Sequence, residues 1–103
     1  MTLQKEQYIR SKHIRDAARG EDCTARGERC AWSPETTVFA HVNGLAFGKG
    51  VGIKSHDIGM FLCVACHEDY DRGRLDPESI IRALVLTQIR LIQRGVYRIA
   101  KGC

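Results

Sequence analysis

Two pairs of cysteines place the tightest constraint on how this chain can fold. Cys23 and Cys30 are separated by six residues, and Cys63 and Cys66 form a C-x-x-C pair. A domain of 103 residues buries a modest core and often needs a disulfide, a metal or a partner to stabilise it. Four thiolates supply the closed tetrahedral shell that structural zinc prefers. The sequence therefore predicts one zinc ion that joins two distant turns.

Other chemistries fit parts of the same cysteine pattern. The letters "CVACH" at 63–67 match the c-type haem attachment pattern, with Met60 or another histidine as a second axial ligand. That interpretation leaves Cys23 and Cys30 unexplained, and haem is normally attached outside the cytoplasm. A redox dithiol is disfavoured because no βαβ pattern surrounds the pair. The remaining alternative is that the cysteines are buried or incidental, as we expect for the spare thiol of Cys103.

Composition and charge favour a folded protein with a basic surface. Hydrophobic residues make up 44% of the chain and charged residues 27%, which is too apolar for a disordered protein. The formal net charge is +4, which is compatible with a nucleic-acid partner. No signal-peptide segment and no apolar run of about 20 residues is visible. We therefore expect a protein of the reducing cytoplasm that does not bind membranes.

Local patterns predict an α+β fold. The final helix is the most clearly defined element, because Asp76 is a good N-cap, Pro77 suits the first helical position and Gly95 ends the apolar run. The other predicted elements are a helix over 2–19, a strand over 36–42, a glycine-rich loop over 43–55, a strand over 58–63 and a helix from Val64 onward.

The final helix is predicted to be the main core element. It is apolar around much of its circumference, so its broad apolar surface fits either a deep core or a dimer. The stripe expected to face the core consists of Ile81, Leu84, Val85, Gln88 and Ile92, widened by Ile80 and Leu91.

Two histidines and a carboxylate suggest catalytic chemistry beside the cysteines. His67 and Asp71 are four residues apart on a predicted helix, so they share one face and suit a divalent cation. His41 lies near the end of the first predicted strand. A strand packed across that helix would place His41 opposite the cation, on the far side of a bound phosphodiester. A neutral imidazole there can take a proton from water while the metal stabilises phosphate charge. For each residue alone, a solvated or structural role remains the alternative.

These residues together resemble a known family. A histidine on a strand, a glycine-rich loop and C-x-x-C-H opening a helix are similar to the HNH endonuclease motif with its ββα-metal fold. The stretches "IRDAARGEDC", "SPETTVFAHV", "GIKSHD" and "LCVACHEDYD" resemble the small YbcO-type HNH nucleases carried by prophages, over about residues 14 to 98. A weaker likeness, through "KSHD", "LCVACH" and "IQRGV", is to the phage recombination nuclease Ref.

The resemblance implies a role for each matching residue. His41 corresponds to the general base and His67 to a metal ligand, with Asp71 where some HNH enzymes have a further ligand. The motif's middle position is not Asn here. Asp57 is the better candidate to hold His41, and His56 is the second. Further positions are Lys54, expected to contact phosphate, and Cys23, Cys30, Cys63 and Cys66, expected to bind structural zinc.

One position departs from the HNH pattern. Many motifs carry an acidic or histidine metal ligand directly before the catalytic histidine, where this chain has Ala40. A cation held only by His67 and Asp71 would keep several waters, which suits Mg²⁺ or another divalent ion. Alternatively, His41 is itself a ligand, or the protein binds DNA without cleaving it.

The combined prediction is a single HNH-like nuclease domain over 1–103. It comprises an N-terminal helix (1–20), a zinc-bound ββα-metal unit (21–75) and a C-terminal helix with its tail (76–103). The expected function is metal-dependent hydrolysis of DNA phosphodiester bonds in phage or prophage DNA processing or recombination, in a bacterial cytoplasm. The alternative is a zinc-stabilised DNA-binding module without catalytic activity.

Overall fold

The fold combines three α-helices with a two-stranded sheet in the described part of the chain. The structure is a computed structural model that describes residues 9–42 and 56–97. The predicted loop over 43–55 and the tail from residue 98 onward lie outside these ranges. In chain order the elements are α1 (Lys12–Asp16), a 3₁₀ helix (Pro34–Thr36), β1 (Val38–His41), β2 (Gly59–Leu62), α2 (Val64–Asp71) and α3 (Pro77–Gln93).

The sheet is an antiparallel pair in which His41 lies opposite Gly59 and Val38 opposite Leu62. Gly59 permits this close pairing, because a Cβ atom there would lie 2.1 Å from the carbonyl oxygen of Ala40. Both strands were predicted, but each is shorter than expected. Before β1, residue 36 closes the 3₁₀ helix, and after β2, residue 63 is already the N-cap of α2.

All four residues of β2 are buried, because helices and loops cover both of its faces. Successive side chains of a strand point to opposite faces, and β2 accordingly supplies two core clusters. One cluster comprises Cys23, Ala25, Ala40, Met60, Leu62, Cys63, Cys66, Tyr70, Leu75 and Ala83. The other comprises Ile14, Ala17, Ala18, Phe61 and Leu91. The hairpin is therefore the centre of the domain.

The N-terminal helix is shorter than the predicted span of 2–19. Within the described residues it begins only at Lys12, because Ser11 is its N-cap and accepts a hydrogen bond from the Ile14 N–H at 3.3 Å. Residues 1–8 of the prediction lie outside the described ranges. The predicted packing residues Ile14, Ala17 and Ala18 are all buried, so the core face of this segment was correct although its boundaries were not.

The start of α3 agrees with the prediction, but its predicted core face is only partly correct. The Asp76 side chain accepts from the Ser79 N–H at 3.0 Å, as an N-cap does. The predicted stripe is mostly exposed, with Ile81 at 62% and Val85 at 51%. Ile92 is also exposed. The buried positions are Ser79, Ala83, Thr87 and Leu91, of which the prediction included Leu91.

Small side chains explain which face of α3 packs on β2. Ala83 and Thr87 are fully buried, and short side chains let a helix approach a strand closely. The Thr87 hydroxyl accepts a hydrogen bond from the Phe61 N–H at 3.0 Å and lies 2.9 Å from the Thr24 hydroxyl. A hydrophobicity pattern gives larger apolar side chains more weight than alanine and threonine, so it does not select the face that packs on β2.

None of the described helices is long and apolar enough to cross a bilayer.

Replacing Thr87 with valine should destabilise the domain. Thr87→Val keeps the volume but leaves the buried N–H of Phe61 without an acceptor, which costs about 2 kcal/mol. Urea unfolding followed by circular dichroism measures the loss. Thr87→Ser, which retains the hydroxyl, is the control and should lose less. Equal stability of the valine variant and the parent would show that this hydrogen bond does not hold α3 on β2.

Candidate functional site

Four cysteine sulfurs converge on one point, as the sequence predicted. Those of Cys23, Cys30, Cys63 and Cys66 all lie within 4.8 Å of one another, and the Sγ atoms of Cys30 and Cys63 are 3.8 Å apart. Sulfurs bonded at about 2.3 Å around a tetrahedral zinc ion lie about 3.8 Å from each other. The number, type and spacing of these donors therefore fit a structural zinc ion.

Backbone N–H groups turn toward the cysteine sulfurs. Cys63 is the N-cap of α2, and its Sγ accepts from the N–H groups of Cys66 at 3.5 Å and Ala31 at 3.4 Å. The N–H of Trp32 donates to Cys30 Sγ at 3.4 Å. Such donors stabilise negative charge on sulfur. The C-x-x-C pair and the loop before β1 thus form a site prepared for thiolates.

The thiols differ in how readily they ionise. Burial opposes ionisation of Cys63, but the N–H groups of Cys66 and Ala31 outweigh it and lower the pKa of Cys63 to about 7. Burial is the main cause that raises the pKa of Cys30 to about 11, and it also raises the pKa of Cys66. Metal ligation requires thiolates. The lowered pKa of Cys63 therefore favours the thiolate form that a metal ligand needs.

His41 and Asp57 form a direct pair at the other end of the hairpin. The Nε2 atom of His41 lies 2.8 Å from Asp57 Oδ1. A carboxylate only accepts hydrogen bonds, so Nε2 carries the proton of this contact. The neutral ring then keeps its lone pair on Nδ1. The His41 side chain is 28% exposed, so solvent or a ligand can reach the imidazole ring.

Asp57 is fully buried and joins His41 to the N-terminal segment. Its Oδ2 accepts from the Ser11 N–H at 2.6 Å and from the Arg15 guanidinium at 2.5 Å. Its own N–H donates to the Ile9 carbonyl oxygen at 2.6 Å. Burial alone would raise the pKa of Asp57, but the hydrogen bonds from His41, Ser11 and Arg15 outweigh it, so the pKa lies below its usual range. The carboxylate therefore stays charged and fixes the imidazole.

The two candidates for the middle position of the motif differ in their contacts. Asp57 contacts His41, whereas Nδ1 of His56 accepts from the Ile9 N–H at 3.0 Å. Lys54 lies outside the described residues. The sequence analysis missed Ser11 and Arg15 as partners of Asp57. They lie 46 and 42 residues away along the chain, and no local pattern connects them to it.

Replacing Asp57 with asparagine should weaken both the fold and the position of His41. Asp57→Asn removes the charge that Arg15 contacts, and breaking such a buried pair costs about 3 kcal/mol. The pKa of Asp57 is lower in the folded protein than in the unfolded protein, so the ionised carboxylate stabilises the folded state when the pH is above the unfolded-state pKa. This contribution is lost as the pH falls through the folded-state pKa. Urea unfolding should therefore show a parent–variant difference that shrinks below about pH 4. A difference that is absent at neutral pH would contradict this role.

His67 and Asp71 lie together on one face of α2. The Nε2 atom of His67 is 3.4 Å from Asp71 Oδ2, and their side chains are 37% and 59% exposed. The pair is thus accessible and offers one nitrogen and one carboxylate to a cation. Within the described ranges, no hydrogen bond or ion pair connects either residue to His41. Hydrogen bonds and ion pairs therefore link the four predicted catalytic residues as two pairs, His41 with Asp57 and His67 with Asp71.

Comparisons with known proteins assign the chain to a family. Residues 12–100 match the family model described as "Putative nuclease YbcO". Two curated relatives, described as "Putative nuclease YbcO" from Escherichia coli (strain K12) and "Putative nuclease ybcO" from Enterobacteria phage 82, are each 34% identical over 95 residues. Each match covers 82% of this chain and 96% of the relative.

A solved structure has a similar fold. It is described as that of a "putative bacteriophage protein" from Escherichia coli str. K-12 and superimposes with a TM-score of 0.61 at 30% sequence identity. The match covers 81% of this chain and all of the other. The family match and the two curated relatives show that this chain belongs to the family described as "Putative nuclease YbcO".

Proposed function

We propose that this protein is a metal-dependent HNH endonuclease that hydrolyses DNA phosphodiester bonds in a phage or prophage setting. The observation that carries the proposal is the 2.8 Å contact between His41 and the buried carboxylate of Asp57. Family membership supports nuclease chemistry. The antiparallel hairpin followed by a helix, with His41 on β1 and His67 on α2, supports an HNH unit.

His41 has the role of general base in this proposal. Its Nδ1 lone pair takes a proton from the attacking water, and the ring becomes positively charged. Asp57 holds the ring through Nε2 and stabilises that positive charge. The oxygen of the water then attacks phosphorus, and the bond from phosphorus to the leaving oxygen breaks. The proton therefore moves from the water to His41 on one side of the phosphate, while negative charge develops on the leaving oxygen on the other side.

His67 and Asp71 are the proposed ligands of a catalytic cation. When bound, a divalent ion supplies electrostatic stabilisation of the phosphate and of the leaving oxygen. The pair offers two exposed donors within 3.4 Å of each other. This donor set leaves most coordination positions to water, which suits Mg²⁺.

A plasmid-nicking assay tests the proposal. Supercoiled DNA is incubated with the zinc-loaded parent protein and Mg²⁺, Mn²⁺, Ca²⁺ or no added divalent ion. We expect open-circular product with Mg²⁺ or Mn²⁺ and none without added ion. A mock purification from cells that lack the protein is the control for contaminating nucleases. If the zinc-loaded, folded protein fails to nick DNA with every one of these ions, the enzymatic proposal is contradicted.

A zinc-stabilised DNA-binding module without catalysis is the second candidate. The observation that favours it is Ala40, which is buried and offers no ligand at the position before His41. Under this hypothesis the zinc cluster and the net charge of +4 suffice for binding. DNA affinity in a protein that never nicks would support it.

A further inference from the structure

A pocket of about 250 Å³ lies between α1 and β1, beside His41. The end of α1 and the chain segment after it supply one part of its wall, and β1 with the residue preceding it supplies another. We call it the α1–β1 pocket. Its lining residues are Arg15, Asp16, Ala18, Arg19, Thr37, Val38, Phe39 and His41. The proposed catalytic base therefore stands on the wall of a cavity that the proposed chemistry does not use.

Thr37 gives this pocket an unused hydrogen-bonding group. The residue is only 5% exposed, and its Oγ1 is the one buried side-chain nitrogen or oxygen in residues 9–42 and 56–97 that has no hydrogen-bond partner. Buried polar groups are nearly always satisfied. This oxygen has almost no accessible surface, so a molecule bound in the pocket can satisfy it once the Thr37 side chain rotates about χ1.

The charges around the pocket favour an anion. The Asp16 carboxylate is paired with Lys12 at 2.6 Å, and Arg15 is held by Asp57. The exposed guanidinium of Arg19 makes no hydrogen bond or ion pair with any residue that the structure describes, although its charge joins that of Lys12 in lowering the pKa of Asp16. Arg19 is thus the cation of this pocket that remains available to a ligand.

Apolar side chains supply the rest of the wall. The Phe39 ring packs edge-on against His41, with ring centres 5.1 Å apart, and Val38 and Ala18 extend the apolar part. A bare phosphate does not fill a pocket of about 250 Å³ or use an apolar wall. A phosphate that carries a sugar matches both parts.

We propose that the α1–β1 pocket binds the phosphate and deoxyribose next to the bond that is cleaved, with Arg19 and the Thr37 hydroxyl on the phosphate and Phe39 on the sugar. This inference rests on the proposed function, since His41 is the reference point for the neighbouring bond. It adds three residues that bind and position the DNA strand and take no part in proton transfer.

Fluorescence anisotropy with a labelled DNA duplex, in zinc-loaded protein without added divalent ion, tests the pocket. Arg19→Gln should weaken binding about three- to fivefold and reduce the slope of log affinity against log salt by about 0.9, the value for one lost phosphate contact. Thr37→Val should weaken binding about two- to tenfold, while Thr37→Ser retains the hydroxyl and the affinity. Thermal melting should show Thr37→Val at least as stable as the parent, because it removes an unsatisfied buried group.

Matched controls decide the outcome. Arg26→Gln removes the same charge from an exposed side chain in the cysteine loop and should weaken binding less than Arg19→Gln. An equal loss in both arginine variants, or full affinity in Thr37→Val, would overturn the pocket.

Nicking assays on the same samples separate the two proposals. If the parent never nicks DNA but the pocket variants bind it more weakly, the pocket is retained as a DNA-phosphate site and the nuclease proposal is rejected. If nicking depends on His41 but the pocket variants bind DNA as the parent does, the nuclease proposal is supported and the pocket is rejected. A parent that does not bind the duplex would overturn the pocket whatever the nicking result.

Discussion

Removal of zinc should unfold this protein. Structural zinc sites contribute about 10–16 kcal/mol in small domains, whereas a whole domain is stable by about 5–15 kcal/mol. The four sulfurs join the loop before β1 to the turn between β2 and α2, and three of the four cysteines belong to the core cluster that surrounds Met60 and Leu62. Without the ion, the loop before β1 and the turn between β2 and α2 are no longer joined, and this half of the core is no longer held together.

Cys66→Ser tests this dependence directly. The variant keeps the size of the side chain but removes one ligand, so we expect less than one zinc per chain and no cooperative thermal transition. Elemental analysis and circular dichroism on the same sample measure both quantities. Cys103→Ser is the matched control, since it removes a thiol that the sequence assigns to no metal. A zinc-free Cys66→Ser protein with the parent's melting temperature would contradict the structural role of the ion.

His41→Ala should reduce DNA nicking by about 10²- to 10⁴-fold, the range that a general base contributes. The Asp57 carboxylate would remain in place with its contacts to Ser11 and Arg15, so we expect the fold and the DNA affinity to persist. Rates of plasmid nicking with Mg²⁺ or Mn²⁺ and duplex affinity by anisotropy measure the two effects separately. The loss should therefore lie in turnover and not in binding.

His13→Ala is the matched control for that experiment. His13 is an exposed histidine on α1, and no role is assigned to it. Its removal should change nicking by less than about threefold. Nicking by His41→Ala within tenfold of the parent, or an equal loss in both variants, would show that His41 is not the base.

Local sequence patterns predicted the parts of the fold that depend on neighbouring residues. Asp76 and Pro77 marked the start of α3 because capping involves groups three residues apart. Cys63 and Cys66 marked the turn into α2 for the same reason. The convergence of these two cysteines with the earlier pair was also predicted, because four thiolates have few other arrangements in a small reducing domain.

Long-range packing accounts for what the sequence did not predict. The prediction for α3 included Leu91 but missed Thr87, because Thr87 is buried through its hydrogen bond with the backbone of β2, and helical periodicity carries no information about that contact. The hydrogen bonds of Asp57 with Ser11 and Arg15 link segments more than 40 residues apart. The roles of His41, Asp57, His67 and Asp71 stay predictions from the family resemblance, which the geometry of the two pairs supports without testing catalysis.

The position of the cation relative to His41 tests the central claim most directly. A crystal of the His41→Ala variant with duplex DNA and Mn²⁺, with diffraction data collected at the manganese absorption edge, locates both the ion and the phosphate. The account predicts an anomalous peak bound to His67 and Asp71, with a DNA phosphate between that ion and position 41. Manganese at other residues, or a phosphate that does not lie between the ion and position 41, would contradict it.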